Sequence, residues 1–145
     1  AGPEEWMSHI AKVQSQETTN TCTLSQHAAI AALEGPQDSI GTMRAAFELR
    51  RNAIADGLNE LDGVTCPRPK GAFYVFPNVS GLFGNTIADD VEFCRYLLEA
   101  AGVAAVPGTG FSAPRYVRFS YTLPDDRLSD AIDRIQTAVT AIQGS

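Results

Sequence analysis

Long hydrophobic runs and clusters of basic residues are both missing from this 145-residue chain. No apolar stretch approaches the roughly 18 residues that a membrane-spanning helix needs, and the N-terminus has neither a basic region nor an apolar signal core. The formal net charge of −6 argues against a nucleic-acid surface, which needs basic residues gathered on one face. We therefore expect small-molecule or protein partners, with no membrane and no nucleic acid among them.

Cysteine is scarce, and the three cysteines form no Cys-x-x-Cys pair. Cys22, Cys66 and Cys94 are widely spaced, and only His9 and His27 could add further soft metal ligands. This pattern is typical of buried or free thiols in a reducing compartment. We predict a cytoplasmic protein without a bound metal.

Lysine is scarcer still, since Lys12 and Lys70 are the only two in the chain. A lysine that forms a Schiff base must be desolvated or lie beside another cation. Lys12 falls late in a predicted helix and Lys70 lies between a proline and a glycine, so both are predicted to be solvated. His27 lies on an alanine-rich helix and is predicted to be a packed or surface residue rather than a base.

Hydrophobic spacing predicts an α/β fold with helices packed on one small sheet. A polar loop is expected at residues 15–21, and a capping box of Thr86 and Asp89 is expected to start the fourth helix. Helices are predicted near residues 3–14, 24–33, 38–61, 86–101 and from 125 onward. Strands are predicted at residues 71–77, 103–106 and 115–121. The last helix has the most regular apolar stripe, formed by Leu128, Ile132, Ile135, Val139 and Ile142.

The segment Gly108-Thr109-Gly110-Phe111-Ser112-Ala113 matches the G-x-G-x-x-A pattern of dinucleotide-binding sites. In such a site the pattern opens a helix whose N-terminus holds the pyrophosphate. Here Pro114 and a predicted strand follow instead. The segment is therefore predicted to be a turn whose backbone needs positive φ values.

Arg118 is the residue that the sequence singles out, because it lies in the middle of an apolar, aromatic strand. A guanidinium there needs an anionic partner. One interpretation is a structural ion pair with Asp or Glu, or a side chain that reaches solvent. The other is a two-pronged contact to the carboxylate of a substrate, for which the planar guanidinium is suited.

Taken in order, several segments resemble the C-terminal part of the class I aminotransferases, and most closely the aspartate aminotransferases of bacteria. Each motif is common alone, but their order and spacing span nearly the whole chain. The segments are residues 1–3, which resemble the stretch after a Gly-x-Arg-x-Gly-Tyr motif, and residues 14–20, 25–29, 70–74, 106–111 and 116–121. The family often has proline after the asparagine of the Thr-Asn loop, where this chain has Thr21.

This resemblance implies a fold-type I aminotransferase, with residues 1–35 ending the large cofactor-binding domain and residues 36–145 forming the small C-terminal domain. It implies that Arg118 binds the α-carboxylate of the substrate. It also places Thr19 and Asn20 near the dimer interface and the partner's active site. The cofactor-binding lysine and the other groups that hold pyridoxal 5′-phosphate belong to family segments that precede residue 1, so no catalytic or cofactor-binding residue is predicted here.

The expected function is therefore that of a portion of a homodimeric enzyme that transfers an amino group between an amino acid, preferably aspartate, and a 2-oxo acid. The portion itself is expected to be inactive. Two alternatives from other classes remain: an effector-sensing domain of a transcription regulator with this fold, and an independent structural or interaction domain. The retained Arg118 disfavours the last of these, because a scaffold does not need a carboxylate-binding arginine.

Overall fold

The computed structural model describes residues 2–18, 20–84 and 86–144. The chain divides into two compact units, Ala1–Ser39 and Ile40–Ser145. This division falls four residues after the domain boundary predicted at residue 35. The assignment of the first part to a large cofactor-binding domain stays a prediction. None of the helices in the described part of the chain combines the length and apolar character needed to cross a bilayer.

The first unit contains two helices, α1 (Glu4–Glu17) and α2 (Thr23–Glu34). Pro3 precedes α1 and two glutamates occupy its first turn, as favoured at a helix N-terminus. The loop predicted at residues 15–21 starts too early, because α1 continues through Glu17. The hydroxyls of Ser15 and Thr18 donate to carbonyl groups of the preceding turn, so these polar side chains bond to the helix and not to a separate loop.

The second unit is built around three helices: α3 (Asp38–Asn59), α4 (Asp90–Tyr96) and α5 (Asp125–Gln143). A π-helical turn, Leu97–Ala101, extends α4 and ends at Gly102, whose φ of 64° is typical of a helix C-terminus. The predicted capping box is wrong by three residues. Asp89 caps α4 by accepting a hydrogen bond from the Glu92 amide at 2.8 Å, and the Glu92 carboxylate accepts one from the Ala88 amide.

A three-stranded antiparallel sheet has the order β1-β3-β2, with β1 at Tyr74–Val75, β2 at Val106–Pro107 and β3 at Val117–Ser120. The strands are shorter than predicted. Pro107 ends β2, and a residue without an amide donor is typical of such a position. The predicted α/β class is confirmed, with β3 as the central strand.

One face of β3 packs into the core of the second unit. Successive side chains of a strand point to opposite faces, and Val117 and Phe119 are buried while Arg118 between them is not. The helices cover this inner face. Leu128, Ile135 and Val139 of the predicted stripe on α5 are buried, and Ile132 and Ile142 pack against the same core.

Close contact between α3 and α5 depends on a residue without a side chain. A Cβ atom at Gly57 would lie 2.6 Å from Cγ2 of Ile132. Gln136 of α5 uses this proximity to donate a hydrogen bond to the Gly57 carbonyl at 3.1 Å. On the other side of the core, the Tyr96 hydroxyl donates to the Ala138 carbonyl and ties α4 to α5.

Candidate functional site

The outer face of the sheet carries Arg118 at its centre. Tyr74 lies opposite Ser120, and Val106 lies opposite Arg118. Directly opposed residues of antiparallel strands point to the same face, so these four side chains share the face that the helices of the second unit leave uncovered. This register places the arginine between both edge strands.

Two aromatic rings hold the guanidinium of Arg118. Its Cζ atom lies 4.4 Å from the centre of the Tyr74 ring and 4.6 Å from the centre of the Phe111 ring. Each such contact contributes about 0.5–1 kcal/mol at a partly exposed site. Contacts of this kind use the charge of the guanidinium and do not use its N–H donors as hydrogen-bond partners.

Those donors have no protein partner in the part of the chain that the structure describes. Five other arginines form ion pairs with carboxylates: Arg50 with Asp125, Arg51 with Glu48, Arg68 with Asp56, Arg95 with Glu92 and Arg134 with Asp130. The side chain of Arg118 has neither an ion pair nor a hydrogen bond within the described ranges, and none of its nitrogen atoms is buried without a partner. The structural ion pair considered from the sequence is therefore not found for Arg118, and its donor edge is open to an added anion.

The turn between β2 and β3 carries Phe111 to the arginine. It begins with a 3-10 helix, Gly108–Phe111, rather than the α-helix of a dinucleotide site. The positive φ predicted for this segment occurs at Ser112, and a second one follows at Arg115. Gly108 is required for a different reason: a Cβ atom there would lie 2.2 Å from the carbonyl oxygen of Ala113.

The other predicted site residues lie in the first unit. Asn20 is exposed, and its side-chain amide donates to the carbonyl of the next residue, Thr21, at 3.3 Å. Thr19 lies outside the described residues. Their predicted position near a partner's active site stays a prediction. His27 is an exposed residue of α2, in agreement with the prediction of a packed or surface residue.

Both lysines are exposed, Lys12 on α1 and Lys70 before β1. Lys70 lines a cleft of about 410 Å³ whose walls include Phe47, Phe73 and Tyr121. Burial raises the pKa of Tyr121, and the nearby Arg51 charge lowers it less; the hydroxyl donates to the Ala72 carbonyl at 2.7 Å. The Tyr121 hydroxyl is thus already hydrogen-bonded within the protein.

That this chain lacks the cofactor-binding lysine, and does not bind pyridoxal phosphate alone, stays a prediction. A site for this cofactor needs a desolvated lysine, an acid beside the pyridine nitrogen and several donors for the phosphate. In the cleft that Lys70 lines, the side chain of Arg51 donates hydrogen bonds to Glu48 and Asn52. The charged groups of Arg51 and Glu48 are therefore already bonded to each other. The open edge of Arg118 suits a planar carboxylate of a substrate instead.

The cysteines are not arranged for catalysis. Cys22 is exposed, whereas Cys66 and Cys94 are buried and reduced. Burial raises the pKa of both buried thiols to about 11, and the charge of Asp90 adds to the effect at Cys94. Both therefore stay protonated and weakly nucleophilic near neutral pH. Within the described ranges, no group of three His, Cys, Asp or Glu side chains could hold a metal ion.

Arg118 is a half-buried arginine that two aromatic rings contact on the outer face of a small sheet. The family model for "Aminotransferase class I and II" matches residues 1–135. This chain belongs to that family. The prediction drawn from the motifs is thereby confirmed.

Relatives in this family are similar over nearly the whole chain. The chain is 46% identical over 142 residues to the aspartate/prephenate aminotransferase of Cereibacter sphaeroides. The aligned region covers 94% of this chain and 36% of that protein. It superposes on the aspartate aminotransferase of Rhizobium meliloti with a TM-score of 0.85 at 39% identity, covering 97% and 36% of the two chains. The Thermus thermophilus aspartate aminotransferase solved with maleate gives a TM-score of 0.79 at 38% identity, covering 95% and 35%. The chain thus spans about a third of the length of these relatives.

The alternatives from other classes gain no support, because the relatives named above are all aminotransferases. Three residues were not selected from the sequence: Tyr74 and Phe111, which contact Arg118, and Asp90, which bonds the turn that carries Phe111. The two aromatic residues stand in the motifs that carry the family resemblance, so their presence was visible while their contact with Arg118 was not. Asp90 follows Asp89 at a helix start, where acidic residues are ordinary.

Proposed function

We propose that this chain is the C-terminal portion of a pyridoxal-phosphate-dependent aminotransferase and that it supplies the arginine that binds the α-carboxylate of the substrate. The observation that carries the proposal is the open donor edge of Arg118, held by Tyr74 and Phe111 on the uncovered face of the sheet. Family membership supplies the reaction class. Residues 1–35 then end the large domain, and residues 36–145 form the small one.

Arg118 acts by binding and orienting. Two parallel N–H groups of the guanidinium donate to the two carboxylate oxygens, which fixes both the distance and the plane of the substrate's α-carbon substituents. The aromatic rings limit the rotation of the guanidinium, so the side chain loses less conformational entropy when the substrate binds. In this family the bound cofactor supplies the amino-group chemistry, and groups outside this chain hold it.

The preferred substrates are proposed to be aspartate and a 2-oxo acid. The names of the relatives from Cereibacter sphaeroides and Rhizobium meliloti both include aspartate, and the first also includes prephenate. We further propose that the complete enzyme is a cytoplasmic homodimer, with Thr19 and Asn20 near the partner's active site. The three free cysteines agree with a reducing compartment.

The substrate proposal is tested by steady-state assays of the complete enzyme with 2-oxoglutarate as acceptor. We expect kcat/KM for aspartate to exceed that for alanine and phenylalanine by about 10-fold or more, since a site built for a second carboxylate rejects substrates that lack it. Prephenate is tested as an acceptor against 2-oxoglutarate in the same assay. Preference for alanine or phenylalanine would contradict the substrate class, and absence of any amino transfer would contradict the function.

A second expectation concerns the 145-residue chain alone: it does not bind pyridoxal phosphate at a defined lysine and does not transaminate. Both Lys12 and Lys70 are exposed and lack the neighbours that a cofactor site needs. The chain is incubated with the cofactor, reduced with borohydride and analysed by peptide mapping. Scattered, substoichiometric labelling is expected. Stoichiometric labelling of one lysine together with turnover of aspartate would show that the chain contains a complete active site.

A further inference from the structure

Asp90, the first residue of α4, is a buried carboxylate that the proposed substrate binding does not use. It exposes only 2% of its surface. Within the described ranges it forms no ion pair with Lys or Arg. A carboxylate buried in this way needs hydrogen-bond donors in place of water.

Three donors from the turn between β2 and β3 serve this carboxylate. The Thr109 amide donates to Oδ2 at 2.8 Å, and the Thr109 hydroxyl donates to Oδ1 at 2.9 Å. The Arg115 amide completes the set with a longer contact to Oδ1, at 3.4 Å. Burial by itself would raise the pKa of Asp90, but the hydrogen bonds from Thr109 and Arg115 lower it below its usual value. The carboxylate is therefore charged at neutral pH.

These contacts tie together two ends of one turn. Thr109 and Arg115 are six residues apart, and Phe111 lies between them. The turn is closed inside by hydrogen bonds from the Ala113 amide to Gly108 and from the Gly108 amide to Tyr116. The positive φ of Arg115, 77°, is unusual for a residue with a side chain and needs such support. Asp90 is thus placed to fix the position of Phe111.

Phe111 in turn contacts the substrate-binding group. Its ring centre lies 4.6 Å from the Cζ atom of Arg118, and its edge packs against Phe76 at a ring-centre distance of 6.1 Å. The path from the carboxylate to the guanidinium therefore consists of one turn and one aromatic ring.

We propose that Asp90 is a positioning residue for substrate carboxylate binding: by anchoring Thr109 and Arg115 it fixes the turn that holds Phe111 against Arg118. This inference rests on the proposed role of Arg118. It assigns to the buried carboxylate an effect on substrate affinity beyond its effect on folding.

The test uses the complete enzyme and measures the dissociation constant of maleate, together with kcat and KM for aspartate. Asp90→Asn keeps the shape of the side chain but turns an N–H₂ group toward a backbone donor. We expect maleate to bind about 10-fold more weakly and KM for aspartate to rise by a similar factor, because one buried donor is left unsatisfied and the turn shifts. Cofactor affinity should change by less than about 2-fold, since no cofactor contact is involved.

Asp89→Asn is the matched control, because Asp89 is the adjacent carboxylate and also bonds a backbone amide, but of α4 rather than of the turn. It should leave the maleate affinity within about 2-fold of wild type even if it lowers stability. The decisive measurement is a double-mutant cycle. In an Arg118→Ala background, Asp90→Asn should weaken maleate binding by less than a further factor of about 2, because its effect passes through Arg118.

Wild-type maleate affinity in folded Asp90→Asn would overturn the inference, and so would an equal loss with and without Arg118. If Asp90→Asn does not fold, Thr109→Val is the variant to test, since it removes only the hydroxyl donor. A loss of maleate affinity of about 3-fold that disappears in the Arg118→Ala background supports the inference. No loss of affinity, or a loss that is additive with that of Arg118→Ala, overturns it. Unchanged maleate affinity in Arg118→Ala alone would instead refute the proposed role of Arg118.

Discussion

Replacing Arg118 by lysine in the complete enzyme should lower kcat/KM for aspartate by about 100-fold, while the affinity for pyridoxal phosphate should change little. Lysine keeps the positive charge but is a point charge that cannot make two parallel bonds to one carboxylate. It also loses the broad planar contact with Tyr74 and Phe111. A 100-fold loss corresponds to about 2.7 kcal/mol, within the range expected for one charge-assisted hydrogen bond and a stacking contact.

The matched control is Arg127→Lys. Arg127 is an exposed arginine near the start of α5, and it has no place in the proposed site. It should retain kcat/KM within about 2-fold, as is usual for surface substitutions. Equal kcat/KM in Arg118→Lys and wild type would show that Arg118 does not bind the substrate. A parallel loss of cofactor affinity would place it at the cofactor instead.

Truncation of Ile135 to alanine should destabilise the chain by about 2–5 kcal/mol. Ile135 exposes only 2% of its surface and lies in the middle of the face by which α5 joins the core. The substitution removes apolar contact and leaves a cavity that close-packed neighbours fill only in part. Urea unfolding followed by circular dichroism provides the measurement, with an unchanged slope required for comparison of the midpoints.

Leu98→Ala is the control for this change, because it also truncates a large aliphatic side chain in a helical segment. Leu98 is 57% exposed, and its truncation should cost no more than about 0.5 kcal/mol. A midpoint for Ile135→Ala equal to that of wild type would show that the apolar stripe of α5 does not contribute to the core.

Helices were predictable from the sequence where their apolar residues are confined to one face. The stripe on α5 repeats at intervals of three and four residues, and its buried members are those that the interval predicts. The apolar residues Val91, Phe93, Cys94, Leu97 and Leu98 predict a buried face for the fourth helix; Phe93, Cys94 and Leu97 are buried, but Val91 and Leu98 are exposed. Strand lengths were overestimated, since β-propensity does not show where pairing with a neighbour ends.

The site was predictable in its central residue and not in its surroundings. A charged residue in the middle of an apolar strand was enough to select Arg118, whatever its role. The contacts with Tyr74 and Phe111 depend on strand register and on the path of a turn, and neither can be read from composition. Asp90 was hidden for a related reason, because its donors are 19 and 25 residues away along the chain.

The central position of β3 has a consequence for motion. Hydrogen bonds join this strand to β1 and β2, and further bonds from Val117 to Pro77 and from Tyr121 to Phe73 continue the pairing at both ends. Amide hydrogens in such a strand exchange with solvent only when the surrounding unit opens as a whole. Arg118 is attached to this central, hydrogen-bonded strand, so an arriving carboxylate meets a binding group whose main chain is already ordered. The entropy lost on binding is then confined to the end of one side chain.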